Sequence, residues 1–195
     1  MEPQEAFRIH NDLDKVIRWE PIDRNGIEHL HIRTTTGGLV AQSVVVGTRN
    51  GAKYGIFYRV VLDASWVVRE LEVMDTATDE KQALSADGKG KWFDARGIHM
   101  AGLDGCIDID ISATPFTNTL PIRRLQLERG AAQVLRMVYI PVPALKPVAV
   151  EQRYTCLQPN RLYCYEGLTS GYVAELTTDE DGFIVDYPGL FRRLS

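Results

Sequence analysis

Two carboxylates stand two residues apart in Cys106-Ile107-Asp108-Ile109-Asp110-Ile111-Ser112, and two arginines follow at Arg123 and Arg124. The isoleucines alternate with the polar residues, the period of a half-buried strand. Asp108 and Asp110 therefore share a face, with Cα atoms roughly 7 Å apart from two rises of about 3.3 Å. Two carboxyls so placed could do acid/base work on a sugar if one kept its proton and the other its charge. The plain alternative is a solvated or arginine-paired strand face. Adjacent helix residues point about 100° apart, so one arginine could answer Asp108 or Asp110. The other could then fork onto a phosphate, carboxylate or sugar hydroxyl, or both could be ordinary surface charges.

Other reactive groupings are weaker. Asp104-Gly-Cys-Ile-Asp108-Ile-Asp110-Ile-Ser112 approximates the Asp-Gly-x-Asp-x-Asp-x-Glu signature of substrate-assisted chitinases. It has one residue too many after the glycine, and Ser112 stands where the acid glutamate belongs. Those enzymes are also barrels that need a longer chain. His29 and His31 share a strand face but lack a third metal ligand. Asp179-Glu-Asp181-Gly182 lacks the downstream glutamate of a calcium loop and reads as a turn. Gly37-Gly38 lacks the lysine of a phosphate loop, and no nucleophile elbow or Cys/His pair is evident. No metal, no cofactor and no catalytic residue are expected. Tyr54, Phe57, Tyr58, Trp66, Tyr154, Tyr163, Tyr165, Tyr172 and Tyr187 have strand spacing. Their polar tips suit a cavity for a molecule with both greasy and hydroxylated parts, though for any one of them simple core packing is the favoured reading.

The elements that must position these residues are mostly strands. Asn25-Gly26, Asn50-Gly51, Asp87-Gly88, Asp104-Gly105 and Asp181-Gly182 are hairpin signals. Tyr54 to Leu62 alternates as a strand, Trp66 to Val73 returns, and Tyr172–Thr177 with Phe183–Tyr187 forms another hairpin. Pro141 and Pro143 mark a strand that ends or runs along an edge. Thr117, Asn118 and Thr119 form a polar turn before a short helix over Leu120–Leu125, with Thr119 or Asn118 as N-cap and Pro121 in its first turn. Beyond it, only Glu5–Val16 and Glu80–Leu84 could form a helical turn or two. This is an antiparallel all-β pattern of about a dozen strands, too many for an open flat sheet, which should curl, close or fold upon itself.

At 195 residues, 45% apolar and 25% charged, the chain suits one domain over 1–195. A formal charge of −4 argues against a nucleic-acid partner. No apolar run is long enough to span a membrane. The first residues lack a basic n-region and an apolar h-region, so no secretory signal is expected. Three cysteines without metal spacing, Cys106, Cys156 and Cys164, predict reduced thiols and a cytoplasmic location.

The stretch Thr114-Pro-Phe-Thr-Asn-Thr-Leu-Pro-Ile-Arg-Arg-Leu125, preceded by Asp108-x-Asp110, resembles the central signature of the bacterial putative glycolipid-binding family. Tyr58-Arg-Val-Val-Leu-Asp63-Ala-Ser-Trp66-Val-Val-Arg69, Gln152-Arg-Tyr154-Thr and Asp181-Gly-Phe-Ile-Val-Asp-Tyr-Pro-Gly-Leu190 fit in the same order. The resemblance implies a spiral β-roll, a long coiled antiparallel sheet around a single helix near 119–126, assembled as a homodimer. It implies a non-enzymatic binding protein for an amphipathic ligand such as a glycolipid. Its site positions carry over as Asp108, Asp110, Thr114, Thr117, Asn118, Arg123 and Arg124, with Asp63, Trp66, Arg69 and Tyr154 from the side motifs. In that reading the arginines and aspartates hold polar groups, while Trp66 and the tyrosines meet the apolar part. Two alternatives stand beside it. One is an enzyme using Asp108 and Asp110 on a sugar- or phosphate-bearing small molecule. The other is a protein-interaction module whose signature serves only the fold.

Overall fold

The computed structural model describes residues 12–195. Seven strands come first: β1 (Asp14–Pro21), β2 (Ile27–Thr35), β3 (Gly38–Arg49), β4 (Ala52–Asp63), β5 (Val68–Asp75), β6 (Lys81–Ala86) and β7 (Trp92–Asp94). A single 3-10 turn, Ala101–Leu103, leads to β8 (Asp108–Ile111), α1 (Phe116–Leu125) and β9 (Ala132–Ile140). The chain ends in β10 (Val148–Gln158), β11 (Leu162–Gly167), β12 (Tyr172–Thr178), β13 (Ile184–Tyr187) and β14 (Phe191–Leu194).

All fourteen strands form one curled, unclosed sheet in the order β7-β6-β5-β4-β3-β2-β1-β14-β13-β12-β11-β10-β9-β8. The first and last strands pair in its middle, Arg18 opposite Leu194 and Pro21 opposite Phe191. From there the chain meanders to one edge at β7, crosses to the other edge at β8, and meanders back. Every pairing is antiparallel except β8 with β9. Parallel neighbours cannot be joined by a tight turn and need a crossover. Helix α1 is that crossover, which is why a helix interrupts a chain of hairpins.

The crossing from β7 to β8 also shows how far the sheet curls. The Trp92 indole N–H donates to the Cys106 carbonyl at 2.8 Å, and the Gly105 amide to the Gly90 carbonyl at 2.9 Å. The two sheet edges thus approach each other through the loops without a ladder between them. Inside the curl lies α1, buried from Phe116 through Arg123. Phe116 stacks between Tyr58 of β4 and Phe183, with ring centroids 6.3 and 6.5 Å away. Phe116 and Leu120, one turn apart, enter the larger core cluster, while Ile122 enters a second one rich in tyrosine.

Several expectations change here. The helix begins at Phe116, not Leu120, so Thr117, Asn118 and Thr119 form its first turn rather than a turn before it. Thr114 does the capping: its hydroxyl accepts the Phe116 amide at 3.0 Å. Thr117 and Asn118 tolerate the helix because their oxygens find partners outside it, the Ile111 amide at 3.3 Å and the Tyr154 hydroxyl at 2.8 Å. Strand β8 is covered on both faces, not half-buried, because α1 lies over its aspartate side. Asp104-Gly105 does not close a hairpin, since β7 and β8 lie on opposite edges of the sheet. The other four Gly-containing turns do sit between consecutive paired strands. Glu80–Leu84 falls largely in β6, paired along Met74–Glu70 of β5. Of Glu5–Val16, residues 5–11 lie outside the described residues and Asp14 to Val16 begin β1. No helix among the described residues is long and apolar enough to cross a membrane.

Gly38 separates steric from conformational cost. It sits at φ +147°, and a Cβ there would lie 2.1 Å from the Leu62 carbonyl oxygen of β4. Gly51, in the two-residue turn after β3, has φ +79° and open space around it. Gly38→Ala should therefore destabilise by at least about 2 kcal/mol in denaturant unfolding. Gly51→Ala should cost only about 1 kcal/mol.

Candidate functional site

The two signature aspartates face the same side of β8 but meet different neighbours. Asp108 takes a bidentate bond from Arg124 of α1, Nε to Oδ1 at 3.0 Å and Nη2 to Oδ2 at 2.5 Å. The carboxylate is 1% exposed and the Arg124 side chain 18%. Burial pushes the Asp108 carboxyl up from its ordinary value, and the Arg124 bond pulls it back down. Asp110 instead accepts from the Gln152 amide at 2.6 Å. It is partly buried, and that burial raises its carboxyl from the ordinary value against hydrogen bonds from Gln152 and Thr117 and the charge of Arg49. Its remaining surface opens into a cavity of about 350 Å³.

This cavity lies between the N-terminal end of α1 and strands β9 to β14. Asp110, Thr114 and Asn118 form one wall, Arg49 and Ser112 stand beside them, and Tyr139, Tyr165, Tyr172, Tyr187 and Phe191 supply aromatic surface. Tyr165, Tyr172 and Tyr187 pack on one another at 6.0–6.4 Å between ring centroids. Tyr172 donates its hydroxyl to the Pro188 carbonyl at 2.8 Å. Burial raises Tyr165 and Tyr187 well above an ordinary phenol, and each also feels Asp110 nearby. Neutral phenols beside a carboxyl that leans toward its own neutral form make a wall of hydroxyl groups on an apolar bed.

The C-terminal end of α1 faces a second cavity of about 570 Å³, lined by Trp66, Arg123, Arg124, Gln126, Ser65 and the Thr34–Leu39 turn. Arg123 is 6% exposed. Its guanidinium lies 4.6 Å from the Trp66 ring centroid and donates to the Asp181 carbonyl at 3.2 Å. Trp66 adopts φ +64° in the β4–β5 turn, a costly conformation for a bulky residue. Asp63 holds that turn by accepting the Ser65 and Val67 amides at 2.9 and 3.1 Å, and Arg69 forks back onto Asp63 at 2.7 and 3.0 Å.

The predicted site residues thus fall into three groups. Asp110, Thr114 and Asn118 share the first cavity, and Trp66, Arg123 and Arg124 the second. Asp108, Thr117, Tyr154, Asp63 and Arg69 line neither. Tyr154 is buried beneath the first cavity, bonded to Asn118. His29 and His31 point outward to Arg18 and Asp14, and no metal-ligating cluster occurs among the described residues. The three cysteines are free thiols.

One charged group escaped the sequence reading. Glu28 of β2 is 2% exposed and accepts the Tyr58 and Ser43 hydroxyls at 2.6 and 2.9 Å, with Thr114 also in reach. Burial pushes its carboxyl up to about 7 against those hydrogen bonds. Its signal was available: Glu28 is in phase with Leu30 and Ile32, the buried face of β2. Gln152 carried the same signal, in phase with the buried Tyr154 and Cys156, and Arg49 is in phase with the buried Val45; Tyr139 had none, because only the parallel pairing of β8 with β9 sets it opposite Asp110.

Two stability predictions follow from these buried charges. Arg124→Ala leaves Asp108 without its partner and should destabilise by about 3–5 kcal/mol in chemical unfolding, partly restored by adding Asp108→Asn. For Glu28, the folded state keeps a proton that the unfolded chain releases from pH 4.5 upward. Its stabilising contribution is therefore full below pH 4.5 and lost as pH rises through about 7. Glu28→Gln should remove that loss, so the variant gains on the order of 3 kcal/mol relative to the wild type between pH 4.5 and 8. Unfolding curves for both proteins across this range measure it.

Comparison with known proteins agrees with the architecture and the signature. A family described as "Putative glycolipid-binding" matches residues 16–193. The crystal structure of a DUF1089 family protein from Pseudomonas aeruginosa is 42% identical in sequence, superimposes with a TM-score of 0.78, and covers 87% of this chain and 92% of its own. No curated protein matches. With nearly the whole of its described length matched, the chain belongs to the putative glycolipid-binding family.

Proposed function

We infer that this protein binds, without transforming it, the sugar-bearing headgroup of an amphipathic ligand such as a glycolipid, and that the cavity at Asp110 receives it. The observation that supports this most is the meeting of Tyr165, Tyr172 and Tyr187 with Asp110 and Asn118 around about 350 Å³. Aromatic faces cover the apolar side of a sugar ring, while carboxyl, amide and phenol groups address its hydroxyls. The volume is near the lower end for small-molecule pockets, so it suits a headgroup rather than a whole lipid. In this reading Asp110, Thr114 and Asn118 touch the ligand. Asp108, Thr117, Tyr154, Asp63 and Arg69 hold the frame, and Trp66, Arg123 and Arg124 form a second surface at the far end of α1.

A cytoplasmic location, with the ligand met at an inner leaflet, belongs to the same proposal, as does a homodimer. Ile27, Val44 and Val46 give the outer face of β2 and β3 an exposed apolar strip, with Ile27 directly opposite Val46. A second reading has one observation in its favour. Asp110 opens into a cavity with its carboxyl raised by burial, the placement that a general acid needs. It would show as turnover of a sugar substrate that Asp110→Asn abolishes while the fold stays intact.

Native mass spectrometry of purified protein mixed with detergent-dispersed glycolipids tests the binding reading. Adducts should form with the wild type and with Arg69→Ala. They should fall about tenfold with Asp110→Ala or Tyr165→Ala, the loss of one good polar or stacking contact. Equal loss in Arg69→Ala and Asp110→Ala would remove the cavity from consideration.

A further inference from the structure

Arg49 gives the Asp110 cavity a charge that the binding reading leaves unused. It closes β3, and its guanidinium reaches across the interior to the ends of β8 and β9. Nη1 donates to the Ser112 hydroxyl at 2.5 Å and the Val142 carbonyl at 3.4 Å, and Nη2 to the Ser112 carbonyl at 3.0 Å. All three acceptors are neutral. No carboxylate among the described residues pairs with Arg49 within 4.0 Å, although the forks of Arg124 on Asp108 and of Arg69 on Asp63 both end on one. A guanidinium keeps its charge at any relevant pH, and this one lines the cavity.

The other ionisable groups in the cavity wall do not cancel it. Asp110 feels the Arg49 charge across the cavity but makes no ion pair with it: it spends one oxygen on Gln152, and its burial outweighs these contacts in raising its carboxyl. Glu151 is solvent-exposed at the rim. Tyr139, Tyr165 and Tyr187 are phenols in the cavity lining and carry no charge to offset it. The chain as a whole is acidic, at −4, so a cationic spot inside a half-enclosed, aromatic cavity is a local feature and not an overflow of general basicity. A cation with no carboxylate in hydrogen-bond reach, set beside hydroxyl groups, selects for an anion joined to a polyol.

Resting on the headgroup reading above, we propose that the cavity recognises an anionic saccharide, a sugar ring carrying a carboxylate or a phosphate. Arg49 takes the anion, Asp110 and the phenols of Tyr139, Tyr165 and Tyr187 take ring hydroxyls, and the tyrosine faces take the apolar side of the ring. Arg49 is thereby the specificity-determining residue of the site. Its bonds to Ser112 and Val142 fix the fork in place before the ligand arrives, which lowers the ordering cost of binding.

The test is titration calorimetry, backed by saturation-transfer NMR, on the full chain. The probes are methyl glucuronide and methyl galacturonide, the matching neutral methyl glycosides, glucose 1-phosphate and inorganic phosphate. At least one sugar anion should bind about tenfold or more tightly than its neutral counterpart, as one charge-assisted fork requires. Raising the ionic strength should weaken the anion and leave the neutral sugar unchanged. Arg49→Lys, which keeps the charge but loses the fork, should lose most of the preference. A thermal melt shows that this variant is folded, and the ionic-strength series on the wild type decides the matter if it is not. Neutral and anionic sugars binding equally would overturn the proposal and leave the headgroup reading standing. Inorganic phosphate binding as tightly as the sugar anions would reduce the site to a bare anion pocket and overturn it too. No binding of any sugar would remove the headgroup reading, and this proposal with it.

Discussion

Everything in this architecture depends on making a polar helix acceptable inside a sheet. Helix α1 carries Thr117, Asn118, Thr119, Arg123 and Arg124 into the interior of the curl, where an unmatched charge costs several kcal/mol. The matching comes from all around the sheet. Asp108 on the neighbouring strand takes Arg124, the Trp66 ring and the Asp181 carbonyl take Arg123, and Tyr154 takes Asn118. Such partners must be placed to within a fraction of an ångström before burial becomes favourable. The helix therefore fixes the curvature of the strands as firmly as the strands fix the helix.

The same arrangement generates the cavities. A rod inside a curled sheet cannot fill the space beyond its own ends, and α1 is only ten residues long. At its N-terminal end the gap is bounded by β9 to β14 and their tyrosines; at its C-terminal end, by the β2–β3 and β4–β5 turns. The Glu28 cluster lies behind the first of these ends and bonds Tyr58, on which Phe116 stacks. A carboxyl whose burial lifts it to about 7 is tolerated there because three hydroxyl groups surround it. It links β2, β3, β4 and the residue that caps the helix, tying the cavity wall to the middle of the sheet.

Much of this was legible in the sequence, and the parts that were not share a physical cause. The alternation in Tyr54–Leu62, the Asn50-Gly51 turn and the pairing of one arginine with Asp108 are consequences of local period and of complementary charge. Those survive whatever the rest of the chain does. The helix start was misplaced because Thr-Asn-Thr is turn chemistry in isolation; only Tyr154, 36 residues away in sequence, makes Asn118 acceptable within a helical turn. The parallel β8–β9 pair was equally hidden, since strand direction is decided by the crossover and not by composition. Arg49 belongs to the same class. The period of β3 turns it inward, in phase with Val45, but nothing local says that it reaches Ser112. Family resemblance recovered the signature residues at both ends of the helix but could not say which of them share a cavity.

That partition bears directly on the chemistry open to this fold. A paired-carboxylate mechanism needs both acids against one substrate, at a separation that their shared strand face would permit. Here the helix divides them. Asp108 is enclosed by the Arg124 fork on one side of α1, while Asp110 opens to the aromatic cavity on the other. Freeing Asp108 for a substrate would mean breaking the ion pair that makes the last turn of α1 tolerable, at a cost comparable to the stability of many whole domains. The fold and a two-acid reaction therefore compete for the same residue, and in this chain the fold holds it. What remains at the cavity is one carboxyl leaning toward neutrality, a permanent cation and a bed of tyrosines. On the proposal above, those groups would receive a hydroxylated, anionic headgroup without asking the frame to give way.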